Sequence, residues 1–512
     1  MKRHQVLALL VGGALVAGAC SSSAAPSGTG GASSAIGGGK SITIALTTAI
    51  NTLDPAATAT VGTDLTIISQ IYSGLINRGP NLKLDPALAT SWTATSPTTW
   101  DFTLRSGVKF ADGEALDASA VKWNFDRLLN PATKARLASF FSEITDVKVI
   151  DPTHLEITTS QPTQSLPDAL SFFYMLPPKW AASNNPANVA LSGTGPYLLK
   201  SYTRNGNIDL SANPNYWGPT PAFATVTYTV IPNEATAVDA LLSGQVDVVT
   251  GISPSDFSRI NGQSHFKAGA VPSARSAFIK LNNLNPPFNN YLVRQALNYA
   301  VDKQAIISAL LPGLTQPSLS QLVDSYFTGF DPNLTAYPYD PTKAKELLAQ
   351  AGYPNGFSTT MDVPQNVYLD ANEVSQIIVS ELAKVGVNVT LNTLPFSVFM
   401  QKYLPQKALA PMSYLTYSWS TLNAADLYEL LVSGNEYAYW NNADFTQAVK
   451  TAQAAATPQQ QVQDLYTADQ IAATRAPVVF LFPQPATYAI NTSVVNWQAR
   501  PDDWVRATEM QP

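Results

Sequence analysis

One cysteine, three histidines and a charged fraction of only 13% leave this 512-residue chain short of the side chains on which most catalysis and nucleic-acid binding depend. The single Cys20 excludes an intramolecular disulfide and any paired-cysteine metal or redox motif. His4, His154 and His265 stand at no metal-ligand spacing, and neither His154 nor His265 lies near a nucleophile-elbow pattern. No motif nominates a carboxylate pair among the 36 acidic residues. A net charge of −6 without a basic patch gives no footprint for nucleic acid. After residue 20 no apolar run approaches the roughly eighteen residues that span a bilayer. These absences predict a non-catalytic protein with no cofactor, no metal and no nucleic-acid partner.

What is present begins with an export signal. Lys2, Arg3 and His4 form a positive start, Val6 to Val16 an apolar run, and Ala17-Gly18-Ala19 a small-residue cleavage site before Cys20. Residues 1–19 are therefore expected to be removed. Cys20 at this place resembles a bacterial lipobox cysteine, the acylated N-terminus of a mature lipoprotein, with Ala17 where leucine is usual. Ser21 to Gly39 consists of Ser, Ala, Gly, Thr and Pro with one Ile36, a composition that buries no core. Residues 20–39 thus read as a lipidated tether, with a coil span of about 25 Å.

The remaining length is too great for one ordinary core and argues for two or three domains. Ile42, Ile44 and Leu46 alternate as a strand, and Leu65, Ile68 and Tyr72 fall at helical spacing. Phe102-Thr103-Leu104 and Val108-Lys109-Phe110 flank Gly107 like a hairpin. Asp117 caps a helix carrying Val121, Phe125, Leu128 and Leu129 on one face. Helix-glycine-strand units recur at Glu234–Val248 and Val374–Leu391, which predicts an α/β architecture. Asp340-Pro341 opens another helix, with Asp as cap and Pro at its first position.

Met412 to Leu431 stands apart. Tyr414, Tyr417 and Trp419 crowd a short strand, and Asn423 is the expected N-cap of a helix starting at Ala424, with Asp426 at its third position. Aromatic faces and a helix start can hold a small molecule, but the same residues also suit a packed core.

The motifs from Ser73 to Arg127 settle the family that the chain resembles. Pro86-x-Leu88-Ala89-x-Ser91-Trp92, Phe102-x-Leu104-Arg105-x-Gly107-Val108-Lys109-Phe110-x-Asp112-Gly113 and Ala118-x-x-Val121-Lys122-Trp123-x-Phe125-x-Arg127 follow in order. Gly193-Thr194-Gly195-Pro196-Tyr197, Asn213-Pro214-Asn215-Tyr216-Trp217 and the Phe278–Ile307 passage come after them. Together they resemble the family 5 extracytoplasmic solute-binding proteins, the dipeptide-, oligopeptide- and nickel-binding components of ABC importers. The resemblance implies a periplasmic-binding-protein-like clamshell of type II, the large class with an extra inserted domain. Its discontinuous lobes would be lobe I from 40–72, 191–277 and 482–512, lobe II as an insertion at 73–190, and lobe III at 278–481.

It also moves the aromatic stretch toward a ligand role for Tyr417, Ser418, Trp419, Ser420, Leu422, Asn423 and Asp426, while Tyr414 stays a core candidate. In the family's peptide binders an aspartate three residues after the Trp pairs with the peptide ammonium; here that position is Leu422. Six after the Trp, where a second acid is usual, stands Ala425. The arginine that takes the carboxylate in dipeptide binders is missing near Asn366 and Val367. An unpaired buried ammonium is costly, so Leu422 disfavours a free peptide N-terminus.

The resulting expectation is a monomeric, lipid-anchored substrate-binding subunit at the outer face of the cytoplasmic membrane, delivering an oligopeptide-class solute to ABC permease subunits. A binder of a neutral or apolar solute, or a receptor lipoprotein without a transporter, is the alternative.

Overall fold

The computed structural model describes residues 39–58, 62–186, 193–404 and 406–512. The expected signal, Cys20 and the tether as far as residue 38 lie outside the described residues.

The alternation at Ile42, Ile44 and Leu46 produces the strand Ser41–Leu46, with those three side chains at most 5% exposed. It lies at the middle of a seven-stranded mixed sheet. In spatial order the strands are Phe266–Val271, Ala486–Asn491, Val248–Thr250, Ser41–Leu46, Thr225–Val230, Ile208–Ala212 and Tyr197–Tyr202. Ser41–Leu46 runs parallel to both neighbours, and the outer pairs are antiparallel. The helix Glu234–Leu242, capped by Asn233, buries Ala237, Val238 and Leu241 against this sheet. Gly193 and Gly195 sit where the chain crosses the end of the helix Thr63–Ile71. A Cβ on Gly193 would stand 1.9 Å from the Ile71 carbonyl oxygen, so only glycine allows this approach.

A second sheet has five strands, in the order Val387–Leu394, Phe357–Pro364, Met412–Ser418, Arg275–Leu281 and Val478–Pro483. Successive residues of its strands point to opposite faces. Met412, Tyr414, Ala277 and Ile279 join one apolar cluster, with helices Tyr291–Ala300, Pro341–Gln350 and Ala371–Ala383. Leu415 and Phe278 join another, with Ala424–Tyr428, Ala443–Gln453 and Pro458–Arg475. The strands Arg275–Leu281, Met412–Ser418 and Val478–Pro483 are thus buried on both faces.

A third, antiparallel sheet of four strands runs Ala89–Ser96, Thr99–Leu104, His154–Thr159, Ile144–Asp151, and packs with the helix Ala118–Leu129. The expected hairpin around Gly107 does not form. Thr99–Leu104 spends both edges on Ala89–Ser96 and His154–Thr159, leaving none for Val108–Phe110. That segment folds on itself instead, Leu116 N–H donating to the Val108 carbonyl at 3.0 Å. The Asp117 cap is as expected, accepting from Ala120 N–H at 2.9 Å.

The chain passes from the seven- to the five-stranded sheet between Val271 and Arg275, and back between Pro483 and Ala486. The two crossings are bonded to each other: Gln484 N–H donates to the Arg275 carbonyl at 2.7 Å, and the Ser273 hydroxyl to the Gln484 carbonyl. This α/β architecture is the expected fold class.

Candidate ligand-binding cleft

A splayed pair of strands opens the cleft. Met412–Ser418 pairs with Arg275–Leu281 along its whole length, but with Phe357–Pro364 only at Met412 and Ser413. Beyond Ser413 the two parallel strands diverge. Pro364, Tyr368, Ser418 and Trp419 line the cavity at this gap. Its volume is about 1990 Å³, and its walls come from three parts of the chain: Thr47 and Glu234 beside the seven-stranded sheet, Phe140 and Ser165 beside the four-stranded sheet, and Trp419 beside the five-stranded sheet.

Of the residues expected at the ligand, Ser418, Trp419, Ser420, Leu422 and Asp426 line this cavity. Tyr417 and Asn423 do not. Tyr417 packs its ring against Phe278 at 4.8 Å, and its hydroxyl bonds with that of Tyr403. Residues alternate across a strand, so Tyr417 faces the core where Ser418 faces the cleft. Asn423 is 3% exposed and fully used. Its Oδ1 accepts from Ala425 N–H at 2.9 Å as the N-cap of Ala424–Tyr428, and its Nδ2 donates to Gln461 at 2.9 Å. Tyr414 is wholly buried.

Trp419 reaches across the cleft. Its ring lies 5.5 Å from that of Phe140, tilted by 40°, and its indole N–H is enclosed with no partner among the described residues. Leu422 adopts a left-handed backbone, φ 52°, which closes the turn through a bond from its N–H to the Trp419 carbonyl at 3.0 Å. Its side chain is 4% exposed and packs with the core, so it forms wall rather than a protruding contact. Asp426 receives the Ser165 hydroxyl at 3.4 Å, and its other oxygen, Oδ2, has no partner among the described residues. Burial pushes its carboxyl up to about 6, although the nearby Thr421 and Ser165 hydroxyls pull it down.

No sequence motif marks the other residues of this wall. Arg78, 4% exposed, sits in the wall, donating to Asp168 at 2.7 Å, to the Leu82 carbonyl at 2.8 Å and to the Thr421 carbonyl at 3.5 Å. Its Nε has no partner among the described residues. Arg500 braces the same segment, donating to the Arg78 and Gly79 carbonyls at 3.1 Å while paired with Asp502 at 2.6 Å. Arg275 joins the wall with Asp503 at 2.8 Å. Phe140 and Ser165 come from segments distant in sequence from Trp419, and only the fold brings Phe140 to its ring and Ser165 to Asp426.

Chemically, the cleft is a large enclosure with one aromatic bridge and unpaired buried polar atoms at Arg78, Trp419 and Asp426. Buried polar atoms are normally paired, which sets these three apart from the rest of the wall. Among the described residues no group of three His, Cys, Asp or Glu could hold a metal ion, and no helix is long and apolar enough to cross a membrane.

Comparison with known proteins agrees with this architecture. The glutathione-binding protein GsiB of Escherichia coli K12 is 30% identical over 368 residues, covering 69% of this chain and 70% of that protein. The structure of AgaA from A. tumefaciens R10, in complex with agropinic acid, superposes with a TM-score of 0.78 at 26% identity, covering 92% of this chain and 96% of that one. DppA of Helicobacter pylori, in complex with the peptide STSA, gives a TM-score of 0.79 at 21% identity over 92% and 98% of the two chains. The family model for bacterial extracellular solute-binding proteins, family 5, matches residues 83–452. The chain therefore belongs to the family 5 solute-binding proteins that serve ABC importers.

Proposed function

We propose that this chain is the lipid-anchored substrate-binding subunit of an ABC importer and that it captures a solute of oligopeptide size for a membrane permease. The volume of the cleft carries this reading. At about 1990 Å³ it exceeds the ~300–1,000 Å³ of ordinary small-molecule pockets, so a single amino acid or metal chelate would leave most of it empty. The splayed edge beyond Ser413 supports an extended ligand, which main-chain hydrogen bonds can hold without charged termini. Relatives that bind glutathione or the peptide STSA are compatible with the same class.

Ligand contacts from all three walls would favour the closed arrangement, with the bonded crossings near Ser273 and Gln484 as hinge and the closed form recognised by the permease. The lobes are those of the sheets, with the four-stranded unit as the insertion. Cys20 would carry the acyl anchor, and residues 21–39 the slack. The chain acts as a monomer, without catalysis. The Trp419–Phe140 pair and the Leu422 wall favour a second reading, a neutral or apolar ligand stacked between the rings.

Mass spectrometry of the molecule that co-purifies with the protein, followed by calorimetry with N-acetylated tetra- to hexapeptides, tests the proposal. Peptide capture supports it. An apolar non-peptide in the cleft, with no peptide binding tighter than about 1 mM, overturns it in favour of the second reading.

A further inference from the structure

Four carboxylates line the cleft where two separate parts of the chain face each other. Glu234 opens the helix Glu234–Leu242 and Asp256 ends the short turn Pro254–Asp256, both beside the seven-stranded sheet. Asp370 and Glu373 stand at the start of the helix Ala371–Ala383, beside the five-stranded sheet. The groups are near enough to act on each other. Burial raises the Glu234 carboxyl most; the charges of Asp370, Asp256 and Glu373 raise it further, against the Ser253 N–H that lowers it. Asp370 is raised by burial and by Glu373, and lowered by the Ser253 side chain. Among the described residues only Arg259 forms an ion pair with any of the four, 3.8 Å from Asp256 and shared with Asp239.

A second observation is independent of that charge. Thr487, 2% exposed, lines the same cavity, and its hydroxyl has no partner among the described residues. Its carbonyl accepts from Gly251 N–H at 2.9 Å, two residues before Ser253, whose own N–H donates to Glu234. Asp370 Oδ2 and Gln484 Oε1, also in the lining, are buried and equally without partners among the described residues. Three enclosed oxygens and an excess of negative charge call for an occupant that is positive and rich in N–H donors. Asp370 is moreover held in a left-handed backbone, φ 47°, and its carboxylate is not spent on capping the helix it precedes.

We propose that this part of the cleft is a subsite for a guanidinium or alkylammonium group, so that the transported solute carries a basic side chain or terminus. The inference rests on the reading of the cleft as the ligand site and adds the charge of one ligand group. A guanidinium presents five donors in a plane and suits a ring of acceptors.

The test uses the full-length purified chain, calorimetry, and two kinds of probe. One is agmatine, a small guanidinium without a peptide unit. The other is a set of N-acetylated tetrapeptide amides in which Arg, norleucine or Glu occupies each position in turn. The expected result is that agmatine binds, and that the best Arg peptide binds at least about tenfold tighter than its Glu counterpart, a difference of about 1.4 kcal/mol. Asp370→Asn and Glu234→Gln should each shrink that ratio and weaken agmatine with the melting temperature unchanged. Asn tolerates the left-handed backbone, and Gln keeps an oxygen for the Ser253 N–H. Peptides that bind with no preference for Arg, in wild type and variants alike, overturn the subsite while the oligopeptide reading stands. Agmatine that binds, and is lost in Asp370→Asn while every peptide fails, keeps the subsite and overturns the oligopeptide reading. Failure of both probes overturns both.

Discussion

Replacing Trp419 by Ala separates a ligand contact from a core residue. The ring is only partly buried, and its partner Phe140 belongs to the other side of the cleft, at 5.5 Å. The folded chain loses one aromatic pair, worth about 0.5–1.5 kcal/mol beyond its area. That is small for a body of this size and should lower the melting temperature by less than about 2 °C. Ligand binding loses more. A Trp that bridges two walls of a water-excluding site typically carries about 2 kcal/mol or more, which is about a thirtyfold rise in Kd. Calorimetry with the tightest-binding peptide or co-purified solute gives the affinity, and differential scanning calorimetry the stability. An unchanged Kd together with a fall of many degrees would refute the reasoning and return Trp419 to the core.

Tyr414 should behave in the opposite way. It is wholly buried and its hydroxyl has no partner among the described residues, so Tyr414→Phe should leave stability unchanged or raise it by up to about 1 kcal/mol. Tyr414→Ala should cost about 3–5 kcal/mol by denaturant titration; a small loss would show that the strand tolerates a cavity there. Asp324 is 8% exposed with one oxygen unpartnered, and burial pushes its carboxyl up to about 7 although Tyr326 N–H lowers it. An unfolded aspartate titrates near about 3.9, so the folded chain holds this proton more tightly; its contribution is intact below about pH 4 and lost as pH rises toward 7. Asp324→Asn keeps the acceptor for Tyr326 N–H and should stabilise the protein by about 2–4 kcal/mol at pH 8 with little effect at pH 4, and equal effects at both pH values would contradict the burial argument. Gly195→Ala places a Cβ 2.4 Å from the Ile71 carbonyl carbon and should cost about 1–3 kcal/mol, read as a lower urea midpoint; an unchanged midpoint would mean that the helix end yields freely.

Local chemistry was legible wherever it repeats along the chain. Alternation marked Ser41–Leu46, a helical stripe marked Ala118–Leu129, and Asp117, Asn423 and Asp340 announced their caps, because each signal depends on neighbours within a turn or two. The hairpin expected at Gly107 does not form, for the complementary reason. A glycine turn allows two strands to pair, but His154–Thr159, fifty residues on, offered Thr99–Leu104 a better edge.

The cleft divides the same way. The stretch Met412–Leu431 carried its aromatics and its cap in the open, yet Tyr417 and Ser418 differ only in which face of one strand they occupy. Motif order, periodicity and capping are one-dimensional, so the family, the α/β class and the position of that stretch are readable from the residues alone. Packing settles the rest: Tyr417 lies against Phe278 while Ser418 lines the cleft, Phe140 comes to Trp419, Arg78 bonds the Thr421 carbonyl, and Glu234 and Asp370 line one cavity. A binding site is an arrangement of side chains from distant segments, and the distances between them exist only once the sheets have packed.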